Sequence, residues 1–164
     1  DMSKVYIGID NGVTGTIGIV GDDIAPVFVK TPTKTEQNYT KAKQNITRVD
    51  CVALKSLLEV HSECNVMVVM ERAMVNPTRF KATTSALRCL EAELIIIELL
   101  SYPHIYVDSK EWQRAMLPKG IKGSDEQKKA SLDIGNRLFP QFQGVKHPDR
   151  DGILIAEYAR RLNL

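Results

Sequence analysis

Apolar positions in the first thirty residues recur with the period of a strand. Val5, Ile7 and Ile9 alternate with Tyr6 and Gly8 as far as Asn11-Gly12, and Thr16 to Val20 follows at once, predicting a hairpin. Gly21-Asp22-Asp23 turns the chain into a third strand over Ile24 to Val29. Thr31 to Thr47 holds almost no large apolar residue and predicts a long, mobile loop. The period then changes. Val52, Leu54, Leu57, Leu58 and Val60 make the apolar face of a helix that Asp50 caps and that runs to about Ser62. Val66 to Met70 is apolar without alternation, as in a strand covered on both faces, and it ends at Glu71. A loop from Arg72 to Thr83 leads into a long helix from Ser85 to about Leu100, and His104 to Val107 is a short fifth strand. Asp108 with Glu111 and Ser124 with Gln127 have capping-box spacing, opening helices through Met116 and to about Leu138. Pro148 suits the first position of a closing helix that runs to Leu162.

Three strands joined by tight turns, then helix, strand, helix, strand and more helices, describe one α/β domain over residues 1–164. The expected architecture is a mixed five-stranded sheet with helices on both faces, the order of a ribonuclease-H-like domain. A composition of 43% hydrophobic and 26% charged residues excludes a largely disordered or coiled-coil chain. The most apolar run, Leu94 to Leu100, is broken by Glu98 and falls far short of the roughly 20 residues that span a bilayer. No charged-then-apolar leader precedes the first strand, so the expectation is a cytoplasmic protein with no membrane partner. Cys51, Cys64 and Cys89 include no close pair and read as reduced thiols. A net charge of +2 says little, but its distribution says more. Lys30, Lys34, Lys41, Lys43 and Arg48 face Glu36 alone, and Arg72, Arg79, Lys81 and Arg88 have no acid among them. Either cluster is a solvated face or a surface for a polyanion.

Candidate chemistry sits at strand ends. An Asp closing an apolar strand is costly if buried unpaired, and Asp10 closes the first strand between Gly8 and Gly12. Glu71 closes the fourth strand in the same way, and His147, Asp149 and Asp151 open the last helix. Three segments thus deliver hard oxygen ligands to one edge of the sheet, an arrangement suited to Mg²⁺ and substrate phosphates, and two such ions about 4 Å apart serve phosphodiester cleavage. The plainer readings are a turn residue at Asp10 and helix-dipole partners at Asp149 or Asp151. On a regular helix Asp149 and Asp151 point opposite ways, whereas His147 and Asp151, four apart, share a face. That spacing favours Asp151, with His147 as second ligand or general base and Asp149 in reserve.

The strand Ile7-Gly8-Ile9-Asp10, the strand end Val69-Met70-Glu71, the run Asp151 to Ala159, and Leu138-Phe139-Pro140 before it together resemble the RuvC-type Holliday junction resolvases, particularly the phage and organellar branch. The resemblance implies a metal-dependent, structure-selective endonuclease that resolves four-way DNA junctions by paired cuts in recombination and repair. It further implies a homodimer in the cytoplasm of a bacterial or phage-infected cell, or in an organelle. It implies Asp10, Glu71, His147 and Asp151 as ligands of Mg²⁺ or Mn²⁺. His147 stands where many members carry a carboxylate, and because imidazole is a weaker ligand for Mg²⁺ than for Mn²⁺ the choice between the two ions stays open. Met74, with Phe80 further along, matches an apolar wedge into the junction, although core packing explains Met74 equally well. Lys128 or Lys129 matches a lysine near the scissile phosphate, and Lys119 and Lys122 are further backbone contacts. The helix from Ser85 to Leu100 carries more apolar surface than one sheet face needs, so part of it, Ile96 included, is expected in the dimer interface. Two other readings remain. Asp10 to Gly15 also looks like the phosphate loop of an actin or sugar-kinase domain, and the same fold could bind nucleic acid without cutting it.

Overall fold

In the computed structural model, which describes residues 3–164, the chain runs β1 (Lys4–Ile9), β2 (Thr16–Gly21), β3 (Val27–Lys30), β4 (Thr33–Gln37), β5 (Asn45–Val49), α1 (Cys51–Glu59), β6 (Asn65–Glu71), α2 (Phe80–Leu99), β7 (His104–Val107), α3 (Ser109–Met116), α4 (Gly123–Leu138) and α5 (Asp151–Leu162). Five strands form one sheet in the order β3-β2-β1-β6-β7, antiparallel on the β3 side and parallel on the β7 side. The strand alternation decides which helix covers which face. Val5, Ile7 and Ile9 join Leu54, Leu58, Ile96 and Ile97 on the α1–α2 side, while Tyr6 and Val69 join Trp112, Ile153 and Ala156 on the α3–α5 side. No helix among the described residues is long and apolar enough to cross a membrane.

Glycines set the depth of the second layer. A Cβ on Gly8 would overlap the Gly152 carbonyl and the Ala156 amide, and one on Gly18 would overlap the Ile153 backbone. α5 therefore lies backbone to backbone on β1 and β2, and Gly152 N donates to Thr16 Oγ1 at 2.9 Å. Register does the rest. Ile9 pairs with Met70 in the parallel β1–β6 ladder, so the residues that follow, Asp10 and Glu71, leave the sheet side by side.

Five parts of the chain differ from the sequence expectation. Residues expected as a mobile loop form the β4–β5 hairpin, in register from Thr33 opposite Val49 to Gln37 opposite Asn45. Both of its faces are largely polar, so it carries no apolar period, and Arg48 ties back to Glu36 at 2.6 Å. β3 starts at Val27, just after Pro26, which has no amide for a ladder. α2 starts at Phe80 rather than Ser85, preceded by a turn that Thr83 Oγ1 holds, accepting from Asn76 N and donating to Asn76 O. Ser124 caps nothing; Glu126 instead accepts from Lys122 N at 2.8 Å at the start of α4. α5 opens at Asp151, three residues after Pro148, because Arg150 gathers the preceding chain into a loop. Its buried guanidinium donates to the carbonyls of Phe142, Val145, His147 and Asp149. Elsewhere the caps form as expected: Asp50 accepts from Ala53 N at 3.1 Å, and Glu111 accepts from Asp108 N at 3.4 Å.

Gly8→Ala and Gly18→Ala should each lower stability in urea denaturation by about 3 kcal/mol, because α5 has no room to retreat. Gly144→Ala, where a Cβ would meet nothing, should be near neutral. A loss of under about 1 kcal/mol at Gly8 and Gly18 would mean that α5 is not held in this contact.

Candidate metal centre

Asp10, Glu71 and Asp151 each offer a carboxylate oxygen, and the three oxygens lie within 4.8 Å of one another. β1 and β6 bring the first two by register, and the first turn of α5 brings the third. Each is braced. Ser109 Oγ and Trp112 Nε1, from the first turn of α3, donate to the two oxygens of Glu71 at 2.5 and 3.1 Å. Ser131 Oγ on α4 donates to Asp151 Oδ1 at 2.6 Å while accepting from Arg150 N. The Asp10 amide donates to Thr16 O, which closes the β1–β2 turn under the carboxylate.

Charge is uncompensated here. Burial first, then the carboxylates of Asp151, Glu71 and Asp149, push the Asp10 carboxyl well above its ordinary range. Asp151 is raised to about 7, chiefly by burial and by Asp149, while the Ser131 hydrogen bond and the Lys128 ammonium pull the other way. Three oxygen donors this close, none of them in a salt bridge among the described residues, fit a hard divalent cation.

The remaining candidates separate. His147 stays out of the cluster: its Nε2 donates to Thr14 O at 2.9 Å and its Nδ1 accepts from Asp149 N at 3.3 Å, which occupies both ring nitrogens. It also precedes α5, so the four-residue helical spacing to Asp151 does not apply. Asp149 accepts from Asp151 N at 3.0 Å and so caps α5 with its carboxylate. Lys128 lies on the same groove as Asp149, whereas Lys129 lies on the other flank of α4 with Glu126 and Asp133. Met74 and Phe80 are exposed, at 76% and 74%, which removes the core-packing reading of Met74. Arg72 is paired with Asp108 at 2.8 Å, and Arg79, Lys81, Lys119 and Lys122 are exposed. In the 10–15 turn the amides of Asp10 and Gly15 bond to Thr16 O and Gly12 O.

Sequence reading missed Arg150, Ser109, Trp112 and Ser131, whose roles depend on helices that meet only in the fold. The one signal was Trp112, the single tryptophan, three residues beyond Ser109 on a helix of otherwise polar character. It also missed Glu93, fully buried in α2, whose carboxyl burial raises to about 8 and which accepts from Cys89 Sγ at 2.8 Å.

A mixed sheet in this order, with helices on both faces, two acids at the carboxyl ends of its central strands and a third at the start of the last helix, has the ribonuclease-H-like fold. Among solved structures the chain is similar to "T. thermophilus RuvC in complex with Holliday junction substrate", with a TM-score of 0.59 at 15% identity over 99% of this chain and 97% of that one. It also matches "Thermus thermophilus RuvC structure", at 14% identity over 97% and 96% of the two chains with a TM-score of 0.47. The first of these likenesses shows that the protein has the fold of RuvC. No protein-family model and no curated protein matches the sequence.

Asp10 and Asp151 hold protons more tightly in the folded protein than in the unfolded chain, where each titrates near 4. The metal-free fold therefore binds more protons than the unfolded state, and its stability should fall as pH rises from about 4 to about 7. Glu93 extends the decline to about 8. Millimolar Mn²⁺, which needs the ionised carboxylates, should restore more of the Tm near pH 8 than near pH 5. Calorimetry with and without chelator checks this; a Tm that climbs over that window, or ignores Mn²⁺, contradicts it.

Proposed function

We propose that the protein is a metal-dependent, structure-selective endonuclease that resolves four-way DNA junctions by paired phosphodiester cleavage, in recombination and repair. The observation that carries this reading is the convergence of Asp10, Glu71 and Asp151 on a fold shared with a RuvC structure bound to a Holliday junction. Asp10, Glu71 and Asp151 would hold Mg²⁺ or Mn²⁺ in a two-metal site. The chemistry it would supply there is activation of water and stabilisation of the leaving oxygen. The chain's own part is to fix geometry. Ser109 and Trp112 hold both Glu71 oxygens, Ser131 holds Asp151, and Lys128 faces the scissile phosphate from α4. Arg72, Met74, Arg79, Phe80 and Lys81 form a rim after β6 for the duplex arms, Met74 entering between bases, and Lys119 and Lys122 contact backbone before α4.

Two symmetric cuts call for two equivalent sites, so the active form is a homodimer. Ile96 and Ile97 are buried in the core and unavailable for that contact, contrary to the sequence expectation. The face that remains is Leu87, Ile95 and Leu99, exposed on one flank of α2. A protein with this activity works where DNA is, in the cytoplasm of a bacterial or phage-infected cell or in an organelle.

Asp10→Asn, Glu71→Gln and Asp151→Asn should each abolish cutting of a labelled four-way junction while binding persists, because each removes a ligand and some negative charge. Asp149→Asn should be mild, since the amide oxygen can still accept from Asp151 N. Turnover retained by any of the first three would overturn the assignment. Ile95→Glu should give a monomer in sedimentation that nicks one strand instead of making paired cuts; a dimer as tight as the native one would remove the α2 face from the mechanism.

A further inference from the structure

The β4–β5 hairpin has no structural task in proportion to its size. Two-stranded ribbons are marginal in water, and of its strand residues only Val49 is buried, so it adds little to the core. Its strands and turn are nevertheless well tied. Asn38 N donates to Gln44 O at 2.9 Å, and Asn38 Oδ1 accepts from Thr40 N at 2.7 Å, which fixes the turn. Tyr39 projects from that turn at 97% exposure, with Lys41 and Lys43 beside it. Lys34 and Arg48 share Glu36, whereas no carboxylate among the described residues pairs with Lys41 or Lys43.

The base of the hairpin adjoins the turn that follows Asp10. A groove of about 590 Å³ runs between Thr14 and Gly15, in the turn after Asp10, and Lys30, Thr33, Lys128 and Lys146. Thr31 N donates to Gly15 O at 3.0 Å, so the strand that starts the hairpin is anchored to the turn that carries Asp10. Three lysines line this groove, with Asp149, two residues before the ligand Asp151, in its wall. Five strand residues extend about 16 Å, or roughly five base steps.

We propose that this hairpin is a DNA-binding finger. The groove at its base carries one strand's phosphates away from the carboxylates past Lys30, Lys128 and Lys146, and Tyr39 at its tip stacks on an unstacked base, with Lys41 and Lys43 on the neighbouring phosphates. The inference rests on the endonuclease reading and names a substrate contact for it. An exposed aromatic between cations binds bases by their faces without reading sequence, which suits a ligand defined by its branch. A fixed turn loses little conformational freedom on binding.

The test is binding of a labelled four-way junction, a duplex and a single strand by the full chain with divalent metal removed, across a salt series. Lys41→Ala with Lys43→Ala should weaken junction binding by roughly ten- to a hundredfold and reduce the salt slope by about 2. Tyr39→Ala should weaken junction and single strand by roughly tenfold and leave duplex unchanged, while Tyr39→Phe keeps native affinity. Unfolding curves should not move, because these side chains touch no core. Native affinity and slope in the variants, with the native chain still binding and cutting junctions, would overturn the finger alone and point to a protein partner for the hairpin. Equal loss on duplex from Tyr39→Ala would overturn the stacking role. A native chain that binds none of the three DNAs would overturn the endonuclease reading itself.

Discussion

Backbone contact between α5 and the first two strands is the constraint on which the rest of the structure depends. Gly8, Gly18 and Gly152 remove the side chains that would hold a helix about 10 Å from a sheet. α5 settles so close that its first turn reaches the carboxyl edge of β1, and Asp151 arrives beside Asp10. A larger residue at any of the three would move a metal ligand as well as loosen the core, so packing and chemistry are one problem here.

Bringing three acids together opposes folding, and the protein offsets that cost locally. The hydrogen bonds of the Arg150 guanidinium all go to main-chain carbonyls and none to the acids, and they shape the loop that delivers α5 at the right residue. Ser109, Trp112 and Ser131 give the carboxylates hydrogen bonds without cancelling their charge. A site of this kind is poised for a cation: its donors are oriented beforehand, and the repulsion that raises Asp10 and Asp151 is relieved when a divalent ion enters. The cations of the chain are instead displaced to the rims, on the loop after β6, on one flank of α4 and along the β4–β5 hairpin, where a polyanion crossing the site would meet them.

The pattern of the sequence by itself determined the central sheet, α1, α3, the two acids at the ends of β1 and β6, and the excess of apolar surface on α2. These follow from local rules, alternation, capping and chain order, which need no partner to be read. Only the tertiary structure decided the rest. The period of α2 cannot say which of Ile95 and Ile96 faces the sheet, because both lie on a broad apolar arc, and the fold buries Ile96. The β4–β5 hairpin pairs through main-chain hydrogen bonds between polar residues, so nothing in its hydropathy announces it. His147 precedes α5 instead of lying on it, since the start of α5 is set by the buried hydrogen bonds of Arg150 with segments up to eight residues away. Which acid completes the site is a question of where a helix begins, and contacts remote in the chain settle that.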